Sequence, residues 1–376
     1  MGVSPSGLGA LLSEFEENFI RRGEIGASVS VWWRGEELIS EGKGWRDKKQ
    51  ENVWSKETLV PVYSATKVPS TAALLLALEE NGLSVGTAVG EVWPRFPLPK
   101  ASFAEMLSHQ CGLAALDQEA SLWEHDEVVA AVEAQEPAWR PGEGHGYHPR
   151  TFGVLLEEPV RRLAGTTLGA FWNERFAKPL DLEFWIGLPE SEHRRVATLY
   201  PGKASPSDFE AGFYREFNRV GSVTQRAFGS PRGVRSVQEM NDPKAWSAGF
   251  PAMGGVGTAS ALAKFYQVLL GHLPGPLSDE ARRMMVTRRV DGEDRVLVKP
   301  TAFGVGCQLD PLHAAGYKKR SLYGPSVEGF GHPGAGGSHA FGDPESGISF
   351  GYVMNQMELS VMPGKRSTML VDALYQ

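Results

Sequence analysis

Cysteine is scarce in this chain: Cys111 and Cys307 are the only two in 376 residues. That excludes a disulfide framework, and two reduced thiols are expected rather than a bridge. Positive charge is in deficit as well, with 38 Lys and Arg against 45 Asp and Glu and a formal net charge of −7. There is no basic footprint for nucleic acid or an anionic membrane surface. Long apolar runs are missing, since Ala72 to Leu78 spans only seven residues, far below a bilayer span. The start Met1-Gly2-Val3-Ser4-Pro5-Ser6 lacks a basic segment followed by an apolar one, so no secretory signal is visible. It fits the formal myristoylation pattern but has no polybasic support. A cytoplasmic protein with neither nucleic-acid nor membrane partners is the expectation. The oligomeric state is not legible. Hydrophobic content of 41% and charged content of 22% are those of an ordinary globular chain with a sizeable core.

The chain is organised around Pro61-Val62-Tyr63-Ser64-Ala65-Thr66-Lys67. A strand-like run, Thr58 to Val62, feeds an apolar helix predicted over Thr71 to Leu78. Ser64 then falls at a helix start, where unpaired backbone N–H groups can hold a developing oxyanion. Lys67 lies one turn on, on the same face, where a neutral amine can take the hydroxyl proton. The pattern alone is weak: Ser40-Glu41-Gly42-Lys43 has the same spacing. That second copy sits in strand-like Glu37 to Gly42, where residues three apart point to opposite faces.

Helical spacing is present over Leu8 to Arg22, Ala101 to Leu107, Leu122 to Ala134, Phe152 to Leu163, Leu168 to Phe176, Thr258 to Leu270, Asp279 to Thr287 and Lys365 to Leu374. Strands are predicted over Gly26 to Trp33, Glu37 to Gly42, Ala302 to Leu309, Gly336 to Gly342 and Gly347 to Asn355. Tyr200 to Trp246 shows no sustained period and reads as a long loop walling a pocket. With strands at both ends, the economical fold is α+β. One antiparallel sheet is built from N- and C-terminal segments and flanked by helices, with a mostly helical region inserted. The corresponding division is 1–75 with 288–376 for the sheet domain, and 76–287 for the helical one.

Two distant stretches supply polar groups that can converge on Ser64. Tyr147 follows the turn at Pro141-Gly142; as a general base it would need its pKa pulled down by a cation such as Lys67. Gly331-His332-Pro333-Gly334-Ala335-Gly336-Gly337-Ser338 leads into a strand whose edge N–H can complete an oxyanion hole. His145 and His148 flank Tyr147, but no third ligand has recognisable spacing, and no metal is expected. His109 reads as a structural hydrogen-bonding residue, and His339 as solvent-facing.

In order and context these pieces resemble the serine β-lactamase superfamily, in particular the class C-like branch with the family VIII carboxylesterases. Ser64-Ala65-Thr66-Lys67 matches S-x-x-K, and Leu107 to Leu113 resembles the family's LLSHTSGL stretch. Pro141-Gly142 with Tyr147 resembles P-G…Y-x-N, and Pro251 to Ala259 resembles the segment before the late helix. His332-Pro333-Gly334 stands where penicillin-binding proteins carry K-T-G. The resemblance implies Ser64 as nucleophile, with Lys67 and Tyr147 sharing the proton transfers. It places the N–H groups of Ser64 and Ala335 in an oxyanion hole and puts His332, as a substrate-binding residue, at the position of the K-T-G lysine. From the residues themselves, Gly334 is expected to let a substrate approach the backbone closely, and the loop from Trp246 to Phe250 either walls the acyl pocket or only packs. No cofactor is implied.

Two departures set the expected substrate. Tyr147-His148-Pro149 lacks the asparagine of Y-x-N, and His332 replaces the lysine of K-T-G, which weakens attraction for a β-lactam carboxylate. The expectation is a carboxylesterase acting on a small ester. A β-lactamase, D-peptidase or acyltransferase of the same fold is the alternative, and a non-catalytic ligand-binding protein the reading from another class.

Overall fold

The computed structural model describes residues 4–202 and 210–376. The Met1-Gly2-Val3 start and residues 203–209 of the expected loop lie outside them. The strands are β1 (Gly26–Trp33), β2 (Glu36–Gly44), β3 (Val60–Pro61), β4 (Phe184–Ile186), β5 (Gly255–Gly257), β6 (Val290–Glu293), β7 (Pro300–Phe303), β8 (Gln308–Leu309), β9 (Phe330–Pro333), β10 (His339–Asp343) and β11 (Ile348–Met354). Eight of them form one sheet in the order β2-β1-β11-β10-β9-β8-β7-β6. All its pairings are antiparallel.

The seam between the chain's two ends is the β1–β11 pair, running from Ala27 opposite Met354 to Trp33 opposite Ile348. Both strands are buried along most of their length, because helices cover this part of the sheet on both faces. The Ala259–Leu269 helix lies across β1, β10 and β11, while the Pro5–Arg21 helix packs on Lys365–Leu374. Thr258 caps the first of these, its hydroxyl accepting from the Ala261 N–H at 3.1 Å. The expected sheet of two termini with an inserted helical region is therefore the observed architecture. Trp32 and Trp33 sit in β1, and the decoy Ser40–Lys43 lies on β2, with Ser40 opposite Ser30.

The structure departs from the expectation in several places. Tyr200 to Trp246 is not a plain loop: it carries short helices at Ala211–Asn218, Val223–Gly229, Val237–Met240 and Pro243–Ala248. The caps are Ser222, Ser236 and Asp242, each accepting a backbone N–H two or three residues on. The expected strand Ala302 to Leu309 is broken into β7 and β8 by Gly304-Val305-Gly306. His339 is fully buried, with Nδ1 at 2.7 Å from the Ser367 hydroxyl, not solvent-facing. Cys111 and Cys307 are both free and buried.

A small second sheet, β3-β5-β4, positions the region of interest. It carries the chain through Val62, whose N–H donates to Gly255 at 2.9 Å, straight into Tyr63 and Ser64. No described helix is long and apolar enough to cross a membrane.

Candidate active site

Ser64 sits in a 3₁₀ turn, Tyr63–Thr66, that runs directly into the helix Lys67–Glu80. The helix thus starts earlier than the apolar spacing alone predicts. Tyr63 adopts φ +48, a strained value for a residue with a side chain, immediately before the candidate nucleophile. Two bonds hold the turn against the β5 region: the Thr66 hydroxyl accepts from Gly255 N–H at 2.9 Å, and the Ser70 hydroxyl donates to Pro251 O at 2.8 Å. These contacts bring the carbonyl of Ala252 to the first turn of the helix.

Lys67 is wholly buried. Its Nζ donates to Ala252 O at 2.9 Å and to Pro149 O at 3.0 Å, and lies 3.3 Å from Ser64 Oγ. Burial drives its pKa well below the ordinary lysine value, and the positive charge of Arg150 pushes the same way. A neutral amine has two N–H bonds and one lone pair. Two carbonyls take the two N–H bonds, which leaves the lone pair for Ser64 Oγ. After proton uptake the third N–H points at the same oxygen. The group can accept and return a proton without turning.

The Tyr147 hydroxyl donates to Ser64 Oγ at 2.8 Å. Here the structure corrects the sequence argument: burial pushes the phenol pKa above its usual value, and Asp294 adds to the shift against the opposing hydrogen bond to Ser64. A phenol held in this way is a hydrogen-bond donor to Ser64 Oγ, and the group beside that oxygen whose pKa is driven down is Lys67. Tyr147 is oriented from its backbone, whose N–H donates to Asp294 at 3.0 and 3.1 Å. The same carboxylate accepts from Val296 and Leu297 N–H, both at 2.8 Å, and from the Thr301 hydroxyl at 2.9 Å. Phe303 stacks nearly parallel to the phenol ring at 6.2 Å. Asp294 went unmarked in the sequence; a lone Asp ahead of a Val-Leu pair carries no signal until the chain is folded.

The two flanking histidines serve this frame. His148 Nε2 accepts from Leu113 N–H at 3.0 Å and Nδ1 lies 2.8 Å from Gly146 O, which makes Nδ1 the protonated nitrogen. His145 Nε2 pairs with the Thr301 hydroxyl at 2.8 Å. His109 Nδ1 accepts from His148 N–H at 3.2 Å.

His332 and Ala335 line one cleft with Ser64 and Tyr147, together with Gln308 and the apolar Phe228, Leu297, Val361 and Met362; the free space is about 30 Å³. His332 Nδ1 faces Pro333 O at 2.8 Å, while Nε2 is buried with no partner. Burial takes its pKa down to about 3, with the Lys67 charge acting the same way. His332 is thus a neutral ring whose open nitrogen is an acceptor.

Gly334 acts beneath the cleft. A Cβ there would lie 2.0 Å from Val62 O, two residues before Ser64. Gly334→Ala must force the β9 end and the Ser64 turn apart, and a backbone carbonyl has nowhere to swing. We expect a loss of about 1–3 kcal/mol in urea unfolding, by overpacking.

Trp246 and Phe250 are not brought to Ser64. Trp246 packs with Leu59, Leu188 and Val256 and donates its indole N–H to Met240 O at 2.7 Å. Phe250 lines a separate cavity.

The fold and this group of side chains define a serine hydrolase of the β-lactamase type. Residues 12–373 match the Beta-lactamase family, and the chain belongs to it. "Esterase/beta-lactamase LipL" of Mycobacterium tuberculosis is 29% identical over 95% of this chain and 83% of its own length. Among solved structures, a novel penicillin-binding protein homolog from Caulobacter crescentus is 33% identical with a TM-score of 0.85, covering 100% of this chain and 98% of that one. A family VIII carboxylesterase is 28% identical with a TM-score of 0.86 and the same coverage.

Proposed function

We propose that the protein is a carboxylesterase that works through an acyl-enzyme on Ser64, with Lys67 as the base and Tyr147 as the acid. The observation that carries this is the pair of bonds at Ser64 Oγ, from Tyr147 at 2.8 Å and with Lys67 at 3.3 Å. As Oγ attacks the ester carbonyl, its proton passes to the Lys67 lone pair. The N–H groups of Ser64 and Ala335 receive the oxyanion. The Tyr147 phenol protonates the departing alkoxide and is resupplied from the Lys67 ammonium. Water then enters, loses its proton by the same route and releases the acid.

The ester preference rests on His332. A neutral acceptor nitrogen offers nothing to a β-lactam carboxylate, while it can accept from a hydroxyl or amide N–H on an uncharged substrate. Pro149 in place of the Y-x-N asparagine removes a side-chain donor, its carbonyl being spent on Lys67.

Turnover of p-nitrophenyl acetate and butyrate is to be compared with nitrocefin, alongside mass spectrometry after fluorophosphonate treatment. We expect one adduct on Ser64 and a kcat/KM for the esters far above that for nitrocefin. Comparable values would assign the site to β-lactams, and an unmodified Ser64 would leave a binding protein.

A further inference from the structure

Behind the Lys67 wall lies a cavity of about 580 Å³ that does not include Ser64, Lys67 or Tyr147. It is within the range of small-molecule sites. Trp123 and Phe250, edge to face at 5.1 Å, form one wall, with Val128, Ile186 and Met253 around them. Exposed Thr167 and Ala170 lie on its rim. The inner end is Arg150 and the Pro251-Ala252-Met253 segment.

Arg150 is 7% exposed. Its guanidinium donates to three backbone carbonyls, Pro231 at 2.9 Å, Val234 at 3.2 Å and Gly233. With a further contact from Nη1 to Met253 Sδ at 3.9 Å, they leave one guanidinium N–H over. Among the described residues no carboxylate lies within ion-pair distance of it. The other ionisable groups on the lining have partners: Arg161 meets Glu157 at 2.7 Å, and His125 Nε2 lies 2.8 Å from Glu158. A buried charge without a counter-ion is costly. We propose that this cavity binds an apolar monocarboxylate, its hydrocarbon body against Trp123 and Phe250 and its carboxylate on Arg150.

The site bears on catalysis through one shared segment. Ala252, on the cavity floor, is the residue whose carbonyl holds Lys67. Arg150 is also one of the two influences keeping the Lys67 amine neutral. The other groups near Lys67 are Ser64, Tyr147, His109, His148 and His332, and those near Arg150 are Arg235 and Glu239. A carboxylate on Arg150 offsets its charge, so Lys67 binds its proton more readily. The acid limb of kcat/KM then moves to higher pH. This rate effect rests on Lys67 being the base; the binding does not.

Calorimetry with octanoate and with octanol, on protein whose Ser64 has first been capped by a fluorophosphonate, tests the binding. Octanoate should bind roughly tenfold more tightly than octanol or more, from a charge-assisted contact. Ala170→Trp, a change at an exposed rim position, should abolish binding while leaving ester turnover in the absence of octanoate unchanged. Arg150→Gln should erase the preference over octanol. The proposal is overturned if octanol binds as well as octanoate, if Ala170→Trp binds normally, or if no heat appears at millimolar ligand. It is equally overturned if octanoate binds free protein but not capped protein, since the acid then occupies the Ser64 cleft. Failure to form the Ser64 adduct would instead strike the catalytic reading, and octanoate binding to untreated Ala170→Trp would still decide for or against the cavity.

Discussion

Ser64→Ala, Lys67→Met and the double variant should all lose ester turnover to the same degree, about 10⁴-fold or more in kcat/KM. The three values coincide because the two side chains act as a unit. Without the lone pair of Lys67, Ser64 Oγ is an ordinary hydroxyl; without Oγ, the amine has nothing to activate. Additive losses would show that Lys67 acts elsewhere. Methionine keeps much of the volume of the buried stem, but it gives up the bonds to Pro149 and Ala252. That loss is opposed by the removal of a fully desolvated amine. The variants should therefore unfold within a few degrees of the wild type, and circular dichroism should separate lost chemistry from lost fold.

The same reading fixes a pH dependence. Lys67 has a folded pKa well below the ordinary lysine value of 10.5. Its neutral form is the active one, so kcat/KM should fall as pH drops through that lowered value and stay flat above it. The linkage to stability has the same sign. Between the folded pKa and 10.5 the unfolded chain holds the extra proton, so this residue's contribution to stability increases with pH. The rate should therefore rise up to the folded pKa and the stability from there up to 10.5, and Lys67→Met should remove both slopes.

How much of this was legible beforehand varied with the kind of signal. The S-x-x-K spacing pointed to Ser64 and Lys67, which the fold holds 3.3 Å apart, and strand periodicity disposed of Ser40–Lys43, which lies on β2. The two-ended sheet followed from where alternation appears. The helices between Ala211 and Ala248 escaped because each spans four to eight residues, too few turns for a period to emerge, although Ser222, Ser236 and Asp242 were cap signals in plain view. β9 escaped because Phe330-Gly331-His332-Pro333 has the composition of a loop and becomes a strand only between β8 and β10. The direction of the Tyr147 shift could not be read at all. Sequence shows that a cation is near; it does not show that the ring is buried or that the cation is held neutral. The place of Trp246 and Phe250 could not be read for a related reason: the loop's composition does not say on which side of the Lys67 wall it packs.

Asp294→Ala should cost about 3 kcal/mol or more of stability and lower kcat far more than it changes KM. The carboxylate gathers the N–H groups of Tyr147, Val296 and Leu297 and the Thr301 hydroxyl in a site only 2% exposed. Truncation leaves those donors unpaired, each a desolvation cost with no compensating bond. The kinetic effect follows from where the carboxylate grips Tyr147. It holds the backbone N–H, so the phenol is aimed at Ser64 Oγ by the position of its own Cα. Asp294 is a positioning residue and touches neither substrate nor Ser64. Its loss also removes one of the influences raising the Tyr147 pKa, so any alkaline limb in kcat should move to lower pH. Asp294→Asn keeps one acceptor oxygen for the Val296 and Leu297 pair while presenting an NH₂ to other donors, and should fall between the wild type and alanine in both stability and kcat. Alanine and asparagine variants that lose stability but keep the wild-type kcat and pH profile would reduce Asp294 to a purely structural bond.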